Sequence, residues 1–208
     1  MFIILKPEMR RCVESLDPYL KEAGFNIDSR CFIADWKSVA LKIYAPQLKD
    51  STFAAEFNVY LWMTNSLFGN SAVVYRLSRV KSLSRNLIDL IYLKSKFRED
   101  AQKKFDAPIN FMIDLDKINT DQPIKIGKCG VICIGDIPLK RNKFNGRWDY
   151  FFFKYIHTFD DKISYLRENN IFIEHGIYNH VISNLQWTQM VATETLTPFI
   201  EDNIYRDG

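Results

Sequence analysis

Apolar and polar positions along this chain follow two periods, and their alternation divides it into short strands and longer helices. Phe2–Leu5 is an unbroken apolar run stopped by Lys6 and Pro7, which predicts a short buried strand with Lys6 at its end. Residues 13–23 carry a helical pattern ending at Gly24, a residue suited to a left-handed C-cap, and Pro18 either opens the regular part of that helix or kinks it. Residues 25–34 alternate well enough for a second strand, and Asp35 is placed to cap a helix over 36–44. An aromatic-rich helix follows, with Phe53, Phe57, Tyr60, Trp62 and Met63, then a turn containing Gly69 and a third strand over 71–77. From Val80 an amphipathic helix is predicted with Leu83, Leu87, Leu90 and Ile91 on one side, continuing as a charged helix.

Beyond it, residues 123–134 read as one or two short strands around Gly127 and Gly130, followed by a basic loop. Residues 150–156 form a run of aromatic and β-branched side chains interrupted only by Lys154, which suits a buried strand and delivers His157 to its end. Asp160 is the expected N-cap of the next helix, with Ile163, Leu166 and Ile171 at helical spacing. A further helix is expected around 181–191, then a last segment broken by Pro198.

Composition adds little to this pattern. With 208 residues, 47% of them hydrophobic, the chain can bury a substantial core, and one domain spanning 1–208 is the simplest division. A net charge of +3 with scattered basic residues gives no argument for a nucleic-acid partner. Cys12, Cys31, Cys129 and Cys133 lack paired metal-ligand spacing and read as reduced structural thiols. There is no signal-peptide pattern and no apolar run near the ~20 residues of a spanning helix, so the expectation is a cytoplasmic protein with no membrane partner.

The candidate chemistry lies at His157. A histidine at a strand end is open to two readings, a satisfied structural residue or a nucleophile. Attack by a neutral imidazole uses one ring nitrogen, while an acceptor on the other fixes the tautomer and raises its basicity. Asp160 lies three residues on and Glu168 eleven residues on.

That spacing resembles the active-site segment of the nucleoside diphosphate kinase family, whose histidine carries a phosphoryl group and whose glutamate orients the imidazole, so the resemblance makes Glu168 the candidate acceptor. The resemblance extends to FIILKPE at the first strand, to the tyrosine and phenylalanine of YAPQLKDSTF, loosely to Val80, Lys81 and Arg85, and to the Gly146-Arg147 segment. It covers residue 2 to about 90, and 147–172. The implied fold is α+β, a ferredoxin-like β-α-β-β-α-β sandwich with an antiparallel four-stranded sheet, here with a β-rich insertion over about 94–146 and a helical C-terminal extension over about 174–208. The implied activity is transfer of the γ-phosphoryl of a nucleoside triphosphate through His157 to a nucleoside diphosphate, with Mg²⁺ accompanying the nucleotide and a homo-oligomer as a possible assembly.

By the same resemblance Lys6 contacts the transferring phosphate and the sugar, Tyr44 lies beside the phosphohistidine, Phe53 stacks on the base, and Phe57 adds an apolar wall. These three aromatics are also open to reading as core residues, and Lys6 to reading as a solvated lysine at a strand end. Arg85 and Arg147 would clamp phosphates; a guanidinium fork matches phosphate oxygens, and a solvated helix face would use Arg85 as readily. Several positions depart from the family pattern. Glu8-Met9 stand for Asp-Gly, Thr158-Phe159 for Gly-Ser, and Lys154 for an asparagine that holds the sugar hydroxyl. An ammonium is a donor-only point charge, so Lys154, if it faces the pocket, favours a more anionic acceptor than an ordinary diphosphate. Two alternatives to the nucleoside diphosphate kinase reading therefore stand beside it: a nucleotide-binding pseudoenzyme with a regulatory role, and a kinase with a non-nucleotide acceptor.

Overall fold

A computed structural model describes residues 1–7, 13–105, 124–126, 132–134, 137–138 and 156–196. Its centre is an antiparallel four-stranded open sheet. The first strand, β1 (Phe2–Leu5), is apolar throughout because it is covered on both faces and paired on both edges, and its four residues are at most 3% exposed. On one side it pairs with β3 (Ala72–Ser78), and β3 in turn pairs with β2 (Asn26–Ile33). On the other side it pairs with β7 (Ile156–His157), giving the order β2-β3-β1-β7. A second, three-stranded antiparallel sheet consists of β4 (Ile124–Ile126), β5 (Ile132–Ile134) and β6 (Ile137–Pro138).

The connections are helical. Helix α1 (Val13–Glu22) joins β1 to β2 and ends at Gly24, whose φ of 77° permits the left-handed turn there. The Gly24 N–H bonds to Lys21 and that of Phe25 to Leu20, closing the last turn as a Schellman cap. Pro18 lies inside α1 rather than at its opening, and the Asp17 before it ion-pairs with Arg30 of β2. Asp35 caps α2 (Trp36–Ile43) as expected, accepting from the Ser38 N–H at 3.1 Å. A short 3₁₀ turn (Gln47–Lys49) leads into α3 (Ser51–Phe68).

Helix α4 (Leu83–Phe105) links β3 towards the second sheet and packs on α1, where Tyr19 meets Phe97 edge-on at 5.1 Å and bonds to Asp100. Its buried stripe is Leu87, Leu90, Leu93, Lys94 and Phe97; the expected stripe is rotated, for Leu83 is 39% exposed and Ile91 is only half-buried. The helix runs unbroken through residues 94–105, and this stretch is part of what contacts the main sheet.

After β7 comes α5 (Lys162–Glu174), packed on α2. Its N-cap is Asp161, which accepts from the Ser164 N–H at 2.7 Å, not the expected Asp160. A cap accepts from the N–H two or three residues on, and Asp161 stands three before Ser164. The buried face of α5 is Glu168, Ile171 and Phe172, while Ile163 and Leu166 are exposed. Phe2, Phe159, Tyr165 and Phe172 interlock with ring centroids 4.8–5.8 Å apart, binding β1, the turn after β7 and α5 into one core. Phe159 thus belongs to that core.

The C-terminal part crosses the β2 edge, where Val181 bridges to Cys31, and continues as α6 (Asn184–Leu196), a few residues beyond the expected helix. Trp187 of α6 packs against Tyr75, with the Arg30 guanidinium over both rings. Cys31 is a buried free thiol. Of the expected strand over 150–156 only Ile156 lies within the described residues; Arg147, Lys154 and the Pro198 segment lie outside them. Among the described residues no helix is long and apolar enough to cross a membrane.

Candidate active site

Strand pairing decides where His157 points. It sits opposite Ile4, and paired residues share a face of the sheet, so its ring emerges on the face that carries Phe2 and Ile4, beneath α5. Both ring nitrogens are engaged there. Nε2 lies 2.8 Å from Glu168 Oε2, and Nδ1 lies 3.1 Å from the Tyr44 hydroxyl. A carboxylate only accepts, so Nε2 carries the proton and donates to Glu168; Nδ1 keeps its lone pair and accepts from Tyr44.

The carboxylate is itself held from the other side. Arg167 donates to Glu168 Oε1 at 3.1 Å and to the Ile43 carbonyl, at the C-terminal end of α2, also at 3.1 Å. Glu168 is 2% exposed, and the bonds it accepts from His157 and Arg167 supply the compensation that a buried charge requires. Burial pulls the His157 pKa below its ordinary 6.5, outweighing the opposing pull of Glu168, and the positive charges of Lys6 and Lys94 add to the depression. The imidazole is therefore neutral at pH 7, the form that has a lone pair to give.

Lys6 is 4% exposed, with Nζ 4.9 Å from the Tyr60 ring centroid, so the reading of a solvated lysine is overturned: Pro7 ends the strand where Lys6 is still covered by α3. Tyr44 packs against Phe57 at 4.7 Å and reaches Phe53 at 6.3 Å, and Phe53 stacks on Phe57 at 5.7 Å. Phe57 is fully buried and belongs to the core, whereas Phe53 and Tyr44 are half-buried.

The structure brings Lys6, Tyr44, Phe53, Phe57, His157 and Glu168 together. Arg85 is elsewhere: it is 63% exposed at the start of α4 and pairs with Asp89 at 3.2 Å, a carboxylate shared with Arg79 and Lys81.

Three basic residues of this region escape the sequence reading. Besides Arg167, Lys94 donates to the Thr158 carbonyl at 3.2 Å and to Asp160 at 2.7 Å, and Arg98 donates to the Ile156 carbonyl at 2.7 Å. Burial alone would raise the Asp160 pKa, but the hydrogen bond and charge of Lys94 outweigh it and hold the carboxyl below its usual range. Lys94 had a legible signal, since it falls between Leu90 and Phe97 on the apolar stripe of its helix. Arg85 is nine residues from Lys94, about 13.5 Å along the axis and on the opposite side of the helix.

Thr158 is buried and donates to the Phe2 carbonyl at 3.3 Å, so the two residues after His157 serve the sheet and the core. Among the described residues no group of three or more His, Cys, Asp or Glu is arranged to hold a metal ion. Comparison with protein-family models, with curated proteins and with solved structures found no match to this chain.

Proposed function

We propose that this protein is a nucleoside diphosphate kinase-like phosphotransferase that carries a phosphoryl group on His157. The observation that carries the reading is the Tyr44–His157–Glu168–Arg167 chain, with a buried neutral imidazole whose proton is fixed on Nε2 and whose lone pair is on Nδ1. In the first half-reaction Nδ1 attacks the γ-phosphorus of a nucleoside triphosphate, the bond to the bridging oxygen breaks, and nucleoside diphosphate leaves with the bonding pair. Phosphorylation puts positive charge on the ring, and Glu168 stabilises it through Nε2–H. The Tyr44 hydroxyl gives up its bond to Nδ1 and donates to a phosphoryl oxygen in the same place. In the second half-reaction a terminal oxygen of an acceptor diphosphate attacks the same phosphorus and the P–N bond breaks.

Lys6 is suited to meet the incoming phosphate charge, and Phe53 offers a flat, half-exposed ring to a base of any kind. Mg²⁺ would enter as part of the nucleotide substrate. The strand order β2-β3-β1-β7, with α1 and α4 leaving β1 and β3, supports a ferredoxin-like topology for the sheet. Arg85 and Arg147 remain proposed phosphate ligands from the resemblance alone, and Lys154 remains the proposed reason for a more anionic acceptor.

One observation favours a second reading, a nucleotide-binding pseudoenzyme: His157 is only 6% exposed and both of its nitrogens are already bonded. Incubation with γ-labelled ATP and Mg²⁺ separates the two. Label that is acid-labile and alkali-stable supports the phosphotransferase, whereas tight ATP binding with no label supports the pseudoenzyme and refutes the first reading.

A further inference from the structure

Among the described residues, strand β7 is an edge of the main sheet and pairs with β1 alone. An edge strand turns alternate carbonyls outward, where they need a partner other than a strand. Ile156 and Thr158, the residues on either side of His157, are such an alternate pair, and each carbonyl accepts from a cation of α4: Arg98 at 2.7 Å and Lys94 at 3.2 Å. The two periods match. Four residues of helix rise about 6 Å, and two residues of strand advance about 6.6 Å, so one helical turn spans the two carbonyls around the histidine.

The cation at position 94 is not what packing alone would select. Lys94 is 7% exposed among Leu90, Leu93 and Phe97, where an uncharged side chain of similar length fills the space without desolvating an ammonium. Its charge is used by Thr158 and Asp160, the residues that follow the nucleophile. Arg98, one turn further, holds the residue before it.

We propose that Lys94 and Arg98 are positioning residues that clamp the backbone on both sides of His157, fixing its imidazole between Glu168 and Tyr44. The proposal rests on the phosphotransferase reading for its effect on rate, and on geometry alone for its effect on the ring. A displacement of about 1 Å at a reacting atom is enough to cost a hundredfold in rate, so holding the backbone on both sides of His157 bears directly on its reactivity.

The test uses Lys94→Met and Arg98→Met with the conservative exchanges Lys94→Arg and Arg98→Lys. Single-turnover labelling by γ-labelled ATP·Mg²⁺ at saturating nucleotide is expected to slow about 10- to 100-fold in each Met variant. Nucleotide affinity should stay within about threefold of wild type, as expected for a group that acts through another residue rather than on the ligand. The conservative variants should recover part of the rate. Imidazole ¹⁵N resonances, recorded without nucleotide, should report a single Nε2–H tautomer in wild type and a mixture in the Met variants.

Wild-type labelling rates together with an unchanged tautomer would overturn the clamp. If wild-type protein takes no label, the phosphotransferase reading fails separately and the resonances alone judge the clamp: a mixed tautomer in the variants upholds it, and an unchanged one overturns it. If a Met variant does not fold, the conservative exchanges decide, since they keep the charge and change its reach; a slowed rate or altered tautomer upholds the clamp, and wild-type behaviour in both readouts overturns it.

Discussion

Replacing Glu168 by glutamine removes one acceptor from a place that uses two. The wild-type carboxylate accepts from His157 Nε2–H at 2.8 Å on one oxygen and from Arg167 at 3.1 Å on the other. An amide has a single acceptor oxygen, so whichever way it turns, its NH₂ faces a donor, either the imidazole N–H or the guanidinium. Hydrogen bonds to charged groups are worth about 1.5–3 kcal/mol, and one is lost in either orientation. The charge proposed to stabilise the phosphorylated ring is lost as well. At about 1.4 kcal/mol per factor of ten, Glu168→Gln should slow phosphorylation of His157 about 10- to 100-fold. Rapid-quench measurement of label uptake at saturating ATP·Mg²⁺ reads this directly, with nucleotide affinity determined separately and expected to hold. A variant that labels at the wild-type rate would refute the reasoning, because it would mean that the buried carboxylate does nothing for the imidazole.

Other outcomes follow from the same geometry. Burial holds the His157 pKa below its ordinary 6.5, so the folded state resists a proton that the unfolded chain takes up. The resulting stability is complete above about pH 6.5 and declines as pH falls from there towards the depressed folded value, with a limiting slope of about 1.4 kcal/mol per pH unit. Urea titrations at several pH values should show that slope in wild type and its loss in His157→Gln; parallel profiles would contradict it. Phe53 and Phe57 should separate cleanly. Phe53→Ala is expected to weaken nucleotide binding by about 1–3 kcal/mol with little change in melting temperature, as loss of a stacking surface does. Phe57→Ala should cost about 3–5 kcal/mol of folding stability, measured by denaturant unfolding, because its ring is fully buried in the core. The reverse pattern would exchange their roles.

Much of the main sheet and its helices was legible in the sequence because short-range signals agree there. The apolar run at Phe2–Leu5, the glycine after α1 and the Asp35 cap each specify local geometry on their own. Glu168 was legible as the partner of His157 through the resemblance. The errors come from tertiary contacts. Asp160 has the side chain of a cap, but a buried lysine from a helix more than sixty residues earlier holds it, and Asp161 takes the position. Lys6 resembles a solvated lysine because nothing near it in the chain shows that α3 covers it. Arg167 reaches a carbonyl of α2 as well as its neighbour Glu168, and the contact with α2 has no periodicity to reveal it.

The most direct measurement is the site of the phosphoryl group itself. Protein labelled with ¹⁵N in histidine and phosphorylated by ATP·Mg²⁺ should show ³¹P–¹⁵N coupling to Nδ1 of His157, with Nε2 still protonated, and peptide mapping should place the label on the segment that contains His157. Label on Nε2, on His175 or His180, or on a residue of another type would contradict the account, because the structure commits Nε2 to Glu168 and the proposed reaction needs only the Tyr44 hydroxyl to leave Nδ1.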